Sequence, residues 1–408
     1  MKILHTSDWH LGKRLDEFSR MGDQQEVLEE ICHLAEQAQV DAVVIAGDLF
    51  DTYNPPAEAT ELFYKTVKQL SDNGRRAVVA IAGNHDSPER IEAPDPLARA
   101  CGILLAGNPN LHIFPYSLEN GMAIVQSEPG FIELRLPHIT YPLRILLTPY
   151  ANEIRLKRFL GLTDTESALR EALAASWKEL ADKYCNPDGV NLLIAHLLFT
   201  APGDTPPEEP EEEKPILYVG GAQAFFTTDI PPQIQYTALG HLHRMQQVSG
   251  AGKAVAYSGS PLSYSFAEAG QQKYVVLIEA EPDCPVGLKT LPLHKGRPLL
   301  RKRAEGVEEA LQWLADHNDA LVELTLATET YLTARERKAL LSAHRGLVAI
   351  IPEVKGAEGE IAGHTSEIDL TQPIAALFAD FFTTQKGLPP NDEIMALFHE
   401  ILAEEAES

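Results

Sequence analysis

Five short apolar segments within the first 243 residues each end in side chains that can bind a metal ion, and no other feature constrains the fold as strongly. Turn residues bound each segment, and the segments have the length of buried strands. The five are Lys2 to Thr6, Ala42 to Ala46, Ala77 to Ala82, Asn191 to Ala195 and Gln235 to Leu239. Because the carboxyl ends of parallel strands open into one crevice, we expect the side chains that follow these strands to meet there.

Apolar residues at helical spacing between the strands predict amphipathic helices over Gln25 to Ala38, Glu58 to Leu70 and Glu166 to Tyr184. The alternation of strand and helix is typical of right-handed βαβ units, which give a largely parallel sheet with helices on its faces. Two further strands, at Ala254 to Tyr257 and Tyr274 to Glu279, are expected to complete that sheet. The predicted fold class is therefore α/β.

A chain of 408 residues is longer than one domain usually is, so we expect two or three domains. Pro282, Pro285 and Gly287 predict that the first domain ends near residue 280. The next segment, residues 281–365, mixes strand and helix patterns and predicts a small α+β domain. Its predicted elements are a strand at Leu321 to Ala327, a helix at Ala334 to His344 and a strand at Leu347 to Ile351.

The last segment, residues 366–408, predicts a helical hairpin with one apolar face. Two sets of apolar residues follow helical spacing on either side of a turn at Gly387 to Pro390. They are Ile374, Leu377, Phe378 and Phe381 before the turn, and Ile394, Leu397, Phe398 and Ile401 after it. The apolar face either packs on the rest of the chain or offers a groove to a helix of a partner protein.

The net charge of −25 weighs against a chain that binds nucleic acid alone, because phosphate contacts depend on Lys and Arg. Part of the acid excess lies at Glu208 to Glu213 and at Glu400 to Glu407. Basic stretches at Lys13-Arg14, at Arg155 to Arg158 and at His294 to Arg303 could form a local nucleic-acid footprint, although each also suits a solvated face.

Composition argues against a disulfide-stabilised or membrane-spanning protein. The cysteines lie far apart at Cys32, Cys101, Cys185 and Cys284, so neither a disulfide framework nor a zinc ribbon is indicated. No apolar run approaches the ~18 residues that span a bilayer. We therefore expect a cytoplasmic protein with no membrane contact.

The side chains after the five strands fit a centre that holds two divalent metal ions. Hydrolysis of a phosphodiester needs a nucleophile at neutral pH and cations that face the phosphoryl oxygens, and two ions ~3.5–4 Å apart supply both. Asp48 carries two carboxylate oxygens and can bridge the ions. We assign Asp8, His10, Asp48 and His243 to the first ion, and Asp48, Asn84, His196 and His241 to the second.

His85 has a different predicted role, because adjacent residues diverge and His85 cannot easily share an ion with Asn84. An imidazole titrates near neutral pH, so we predict that His85 acts as a general acid and protonates the leaving oxygen. We expect Asp86 to orient His85, and Asp51 to contact the ligands from a second layer. Each residue alone is weak evidence, but the complete set at five strand ends is specific.

These motifs resemble those of the calcineurin-like metallophosphoesterases over residues 1–280. They are Asp8-x-His10, Gly47-Asp48-x-x-Asp51, Gly83-Asn84-His85-Asp86, His196 and Gly240-His241-x-His243. More narrowly, three segments are similar to the SbcD family of bacterial nuclease subunits: Met1 to Gly12, Ala46 to Thr52 ahead of Pro55-Pro56, and Tyr257 to Leu262. The tail hairpin is similar too, so the likeness extends over nearly the whole chain.

The resemblance implies a fold and a division into domains. Residues 1–280 would form a metallophosphoesterase (nuclease) domain, a sandwich in which helices flank the sheets. Residues 281–365 would form a capping domain over the DNA, and residues 366–408 a helical hairpin that binds the coiled coil of an SbcC-type ATPase. The sequence contains no Gly-x-x-x-x-Gly-Lys motif, which fits an ATPase supplied by another chain.

The resemblance also implies an activity, that of a nuclease with 3′ to 5′ double-strand exonuclease and single-strand endonuclease activity, in which a hydroxide activated by two metals attacks the phosphodiester. It would act on double- and single-stranded DNA in end processing, hairpin cleavage, recombination and repair. Two SbcC and two SbcD chains would form a heterotetramer, with a homodimer through the phosphoesterase domain, in the cytoplasm on the nucleoid. The resemblance alone favours Mn²⁺, since imidazole and carboxylate ligands also suit iron or zinc.

Two other functions are compatible with parts of the pattern. A cyclic-nucleotide phosphodiesterase or phosphoprotein phosphatase would use the same ligands, but a small-molecule phosphodiesterase has no need of a capping domain or a tail hairpin. A scaffold that has lost catalysis would keep the fold, but a decayed site should lack a ligand, and here the set is complete. The predicted function is therefore that of a DNA nuclease subunit.

Overall fold

The computed structural model describes residues 1–109, 111–150, 166–204, 224–250, 252–328, 332–354 and 374–386, together with residues 390, 395 and 398. The chain divides into two compact units. The first comprises Met1–Arg301 with Asp319–Val322, and the second comprises Lys302–Asn318 with Glu323–Ser408. The predicted domain limits at residues 280 and 365 stay predictions.

The helices and strands of the described residues are numbered in chain order. The strands are β1 (Lys2–Thr6), β2 (Arg14–Leu15), β3 (Phe18–Ser19), β4 (Ala42–Ala46), β5 (Ala77–Ile81), β6 (Ile103–Ala106), β7 (Tyr116–Ser117), β8 (Ala123–Glu128), β9 (Phe131–Arg135), β10 (Leu143–Thr148), β11 (Val190–Ala195), β12 (Phe199–Thr200), β13 (Phe225–Phe226), β14 (Tyr236–Leu239), β15 (Gln246–Gln247), β16 (Ala254–Tyr257), β17 (Lys273–Glu279), β18 (Gly287–Leu293), β19 (Leu299–Ala304), β20 (Leu321–Thr328) and β21 (Leu347–Val354). The helices are α1 (Met21–Ala38), α2 (Ala57–Leu70), α3 (Pro88–Glu92), α4 (Asp95–Arg99), α5 (Glu166–Tyr184), α6 (Val307–Ala315), α7 (Ala334–Ala343) and α8 (Ile374–Lys386). None of the helices so described combines the length and the apolar character that crossing a membrane requires.

Two large sheets form the first unit. The six-stranded sheet has the order β18-β17-β1-β4-β5-β6, in which β1, β4, β5 and β6 are parallel and β17 is antiparallel to both of its neighbours. The eight-stranded sheet has the order β15-β16-β14-β11-β10-β9-β8-β7, in which β10, β11, β14 and β16 are parallel. In each sheet the parallel strands are central, as expected for strands buried on both faces.

The sheets stack on each other, and helices cover their outer faces. One apolar cluster joins Ile3 and Val44 of the first sheet to Ile145 and Ile194 of the second. Neighbouring residues along the first sheet's strands point the other way, because side chains alternate across a strand, and they pack with residues of α1 and α2. Trp177 of α5 packs against the outer face of the second sheet. The first unit is therefore a four-layer sandwich.

The sandwich confirms the predicted fold class, but the expectation of a single largely parallel sheet was wrong. The predicted strands at Lys2 to Thr6 and Ala42 to Ala46 are present with the predicted bounds. The strands near Ala254 and Tyr274 lie in different sheets, and the second of them is antiparallel to β1. Strands buried on both faces are continuously apolar whichever sheet they join, so hydrophobic periodicity could not assign them.

The second unit contains α6, α7, α8 and most of a three-stranded sheet with the order β19-β20-β21. The strands predicted from Leu321 and Leu347 are present as β20 and β21, and the helix predicted from Ala334 is present as α7. The first helix of the predicted tail hairpin is present as α8. The ring of Phe378 stacks on that of Phe398, with centroids 3.9 Å apart.

Several predicted features lie outside the described residues. They are the basic stretch at Arg155 to Arg158, the acidic stretches at Glu208 to Glu213 and Glu400 to Glu407, the end of the predicted capping domain at residues 355–365, and Ile394, Leu397 and Ile401 of the second tail helix.

A buried ion cluster joins the start of α1 to the segment after β18. Asp23 accepts hydrogen bonds from Arg20 Nε at 2.8 Å and from Arg297 Nε and Nη2 at 2.9 and 2.8 Å. Arg20 is buried and also donates to the carbonyl oxygen of Ser263 at 3.0 Å. Burial alone would raise the pKa of Asp23, but the hydrogen bonds from Arg297 and the charge of Arg20 hold it below its usual value.

We expect Asp23→Asn to lower the free energy of unfolding by about 3–5 kcal/mol, because it leaves a buried guanidinium without its counter-charge. Urea unfolding at pH 7 measures this. The wild-type advantage should disappear as the pH falls below about 4, since protonation of Asp23 has the same effect. Asp72→Asn, at an exposed pair with Arg75, is the control and should change little. Equal effects of the two variants would show that burial of the cluster is unimportant.

Candidate active site

The backbone adopts a left-handed conformation at four of the predicted ligands. The angle φ is 54° at Asp8, 43° at His10, 49° at Asp48 and 95° at His241. Residues other than glycine rarely adopt positive φ, and such strained positions cluster at functional sites. The tight turns that result bring together the side chains that follow β1, β4 and β14.

Hydrogen bonds between backbone groups join the loops after β1 and β4. The Asp8 N–H donates to the carbonyl oxygen of Gly47, and the His10 N–H donates to that of Asp48, both at 3.0 Å. Gln24 of α1 donates from Nε2 to the carbonyl oxygen of His10 at 2.7 Å. The two ligand-bearing loops therefore form one rigid support.

The structure brings together the four residues predicted for the first metal ion. Asp8, His10 and His243 offer ligand atoms that all lie within 4.8 Å of one another. The Nε2 atoms of His10 and His243 are 3.1 Å apart, and Asp48 Oδ2 lies 3.6 Å from His10 Nε2. All four residues are buried.

The four residues predicted for the second ion are neighbours as well. Asp8, Asp48 and His196 form another group whose ligand atoms lie within 4.8 Å. His196 Nε2 lies 2.8 Å from Asn84 Oδ1. The ring of His241 lies 5.6 Å from that of His196, and the His241 N–H donates to Asp8 Oδ1 at 2.8 Å.

Asp48 lies between the two groups, where a bridging carboxylate is expected. Its Oδ2 atom is 3.6 Å from His10 Nε2 and 3.3 Å from His196 Nε2. Burial alone would raise the pKa of Asp48, but His196 and His10 hold it well below its usual range. Burial alone would lower the pKa of His196, but Asp48 and Asp8 raise it to about 9. The charges of these residues thus depend on one another.

Glycines in the motifs make room for the ligands. A Cβ atom at Gly83 would lie 2.1 Å from Asp48 Oδ1, and one at Gly240 would lie 1.9 Å from the carbonyl oxygen of Ala46. Neither distance is possible without movement of the backbone or of the ligand. Only glycine permits such close approach, so these positions are fixed by packing.

The donor set fits two divalent metal ions. It consists of buried carboxylates, imidazoles and one amide oxygen, which are ligands of divalent first-row metals. His196 Nδ1 donates to the carbonyl oxygen of Ala46 at 2.8 Å, so its Nε2 faces Asp48 and Asn84. This is the second-layer hydrogen bond that metal-binding histidines make. A buried set of charges of this kind is costly unless it is paired or coordinates metal.

His85 is buried beside the ligands, and a backbone group holds its ring. Nδ1 lies 2.8 Å from the carbonyl oxygen of Asp51, and because a carbonyl only accepts, Nδ1 carries the hydrogen. The carboxylate of Asp86 accepts backbone N–H groups at 2.8 to 3.0 Å, from Gly83, Leu49 and Phe50. This corrects the expectation that Asp86 orients His85: Asp86 joins the loops after β4 and β5, and the Asp51 carbonyl holds the ring.

The side chain of Asp51 lies beside the ligands, at the edge of the site. Its Oδ1 atom is 3.7 Å from His10 Nδ1 and 3.1 Å from Lys13 Nζ. These distances place Asp51 in the predicted second layer. The roles assigned to Asp51 and to each ligand stay predictions.

Two residues that were not predicted from the sequence lie next to the ligands. Glu268 Oε1 is 3.1 Å from His243 Nδ1, and Lys273 donates to Glu268 Oε2. A buried ion pair between a loop and a strand leaves no periodic signal. The one available sign was a lysine at the start of an otherwise apolar strand, in the segment just after Tyr257 to Leu262.

Two stacked sheets with carboxylates and imidazoles at the ends of their parallel strands define a two-metal phosphoesterase. A family model described as calcineurin-like phosphoesterase matches residues 1–244.

Proteins named as the SbcD component of the nuclease SbcCD are similar to nearly the whole chain. That of Bacillus subtilis is 35% identical over 98% of this chain and 97% of its own length. That of Rhodobacter capsulatus is 32% identical over 77% of this chain and 75% of its own, and that of Escherichia coli K12 is 29% identical over 83% and 81%. The chain belongs to the calcineurin-like phosphoesterase family and, within it, to the SbcD group. It is accordingly a hydrolase of the phosphodiesterase and nuclease type, and its family implies divalent metal ions.

We expect Gly83→Ala to abolish metal binding at the bridging position, because the added methyl group would overlap Asp48 Oδ1. Titration of the metal-free protein with Mn²⁺ measures this. Gly22→Ala is the matched control, since nothing lies within 4 Å of a Cβ there. Gly22 lies in α1, so alanine should leave binding unchanged and keep or raise stability. Unchanged binding in Gly83→Ala would contradict a bridging role for Asp48.

Proposed function

We propose that the chain is the metal-dependent nuclease subunit of a DNA-processing complex, with 3′ to 5′ exonuclease activity on double strands and endonuclease activity on single strands. The relatives named as components of the nuclease SbcCD support this substrate class. In this proposal the chain acts on the bacterial nucleoid in end processing, hairpin cleavage, recombination and repair.

One observation carries the proposal: seven predicted ligands converge around Asp48, with His85 held beside them. Asp8, His10, Asp48 and His243 would hold one ion, and Asp48, Asn84, His196 and His241 the other. When bound, two divalent ions supply positive charge to the phosphoryl oxygens and a nucleophile at neutral pH. We propose Mn²⁺, which suits mixed imidazole and carboxylate ligands.

His85 is proposed as the general acid. The Asp51 carbonyl engages Nδ1 and fixes the orientation of the ring. Nε2 is then the nitrogen that gives a proton to the leaving sugar oxygen, and it does so without giving up the hydrogen bond at Nδ1. The edge-to-face contact between the rings of His85 and His10, with centroids 4.9 Å apart, keeps that nitrogen close to the ligands.

An SbcC-type ATPase is the proposed partner, in a complex of two chains of each kind. The net charge of −25 supports a division of labour in which the partner supplies most of the grip on DNA. The apolar helix α8, with exposed Ile374 and Phe381, supports a tail that binds the partner. A homodimer through the phosphoesterase domain and a capping role for residues 281–365 complete the proposal.

We expect His85→Ala to lower the turnover of double-stranded DNA by about 10² to 10⁴, the usual contribution of a general acid, while Mn²⁺ binding stays unchanged. Cleavage assays and metal titration on the same preparation measure both. His33→Ala, on the exposed face of α1, is the control and should match the wild type. Loss of Mn²⁺ binding in His85→Ala would place His85 among the ligands, and unchanged turnover would remove its proton-transfer role.

We expect the isolated chain to cleave linear duplex DNA only with Mn²⁺, to bind DNA weakly with strong salt dependence, and to gain activity with the ATPase partner and ATP. Parallel assays with bis-p-nitrophenyl phosphate identify the alternatives. Hydrolysis of that diester without DNA cleavage under any condition would indicate a small-substrate phosphodiesterase. Absence of both activities would indicate a scaffold.

A further inference from the structure

A buried carboxylate outside the predicted ligand set holds the ring of His243. Glu268 Oε1 lies 3.1 Å from His243 Nδ1, and both residues are buried. A carboxylate at Nδ1 keeps the hydrogen on that nitrogen and turns the Nε2 lone pair toward the opposite side. On that side Nε2 lies 3.1 Å from His10 Nε2, within the group that also contains Asp8.

Lys273 fixes Glu268 and His243 to the same strand. It is the first residue of β17, and its ammonium group is buried. It donates to Glu268 Oε2, to the carbonyl oxygen of His243 at 2.9 Å and to Ser260 Oγ at 3.1 Å. These contacts use all three of its donors. Lys273 therefore binds both the backbone of His243 and the carboxylate that orients the ring of His243.

The same segment also supports Asp8. Ser258 Oγ lies 2.7 Å from Ser7 Oγ, and Ser7 Oγ donates to Asp8 Oδ2 at 2.5 Å. Ser258 and Ser260 belong to the segment Tyr257 to Leu262, whose similarity to nuclease subunits no ligand explains. Its place behind two predicted ligands gives it a physical role.

The two sides of the site differ in this second layer. The Nδ1 atom of His196 faces the neutral carbonyl oxygen of Ala46, whereas that of His243 faces a carboxylate. A carboxylate in this position makes a ligating imidazole more basic and fixes it more firmly than a carbonyl does. The asymmetry predicts that loss of the carboxylate weakens one side of the site and spares the other.

We propose that Glu268, held in place by Lys273, is a positioning residue that orients His243 as a ligand of the first metal ion. The inference rests on the proposed two-metal site and deepens it. It assigns a role to an ion pair that lies outside the set of residues in contact with either ion.

Titration of the metal-free full-length chain with Mn²⁺, followed by the electron paramagnetic resonance signal of the free ion, tests the proposal. The wild type should bind two ions. In Glu268→Gln the affinity for one ion should fall about 10- to 100-fold, the usual effect of removing a second-layer partner, and the affinity for the other should stay unchanged. Glu133→Gln is the matched control, because Glu133 pairs with Arg144 through a similar contact and lies outside the site.

The double variant Glu268→Gln/Lys273→Met separates positioning from folding. A buried lysine without its counter-charge destabilises Glu268→Gln, and its replacement by methionine should restore stability in urea unfolding. The deficit in metal affinity should remain in the double variant. The proposal is overturned if both ions bind to Glu268→Gln as they do to the wild type, or if the double variant regains both stability and affinity. Failure of the wild type to bind two ions would overturn the metal site itself, and is seen before any variant is made.

Discussion

The hydrogen bond from His196 Nδ1 to the carbonyl oxygen of Ala46 joins the two sheets at the point where the site is built. Ala46 ends β4 in the first sheet, and His196 follows β11 in the second. Gly240, after β14, passes so close to the same carbonyl that a Cβ atom would lie 1.9 Å from it. The distance between the sheets at this edge therefore sets the distance between ligands from different sheets. A change in sheet packing of a few tenths of an ångström would be passed directly to the metal positions.

This constraint explains why the ligand loops are strained and why they are so heavily bonded. The apolar core between the sheets brings the strand ends together, and sharp left-handed turns at Asp8 and Asp48 then direct the side chains into the remaining space. Such turns persist only when the surroundings determine them fully. Here the surroundings are backbone hydrogen bonds between the loops and the carboxylate of Asp86, which accepts three backbone N–H groups. Asp86 is in this sense part of the scaffold, although its sequence neighbours are catalytic candidates.

The features that were predictable from the sequence are those with a local pattern. Continuous apolar runs marked β1 and β4, and metal-binding residue types directly after them marked the ligands. Membership of a sheet was not predictable, because Ala254 to Tyr257 and Tyr274 to Glu279 have the same apolar pattern whichever neighbour they pair with. The partner of His85 was not predictable either, since it is a backbone carbonyl and backbone groups are identical along the chain. Glu268 and Lys273 meet His243 only through tertiary structure, and single charged residues in a loop and at a strand end are common without function.

The acidity of the chain is compatible with a polyanionic substrate because charge acts over a short range. At physiological ionic strength interactions between exposed charges are screened beyond about 8 Å, so distant carboxylates contribute little at the scissile phosphate. Within that distance the ligand carboxylates would repel a phosphodiester, and Lys13 offsets only part of that charge because it is already paired with Asp51. Divalent ions between Asp8, Asp48 and the imidazoles would reverse the sign of the local field. Attraction of the substrate and activation of the nucleophile would then depend on the same ions, and a metal-free chain of this kind should lose its affinity for DNA together with its activity.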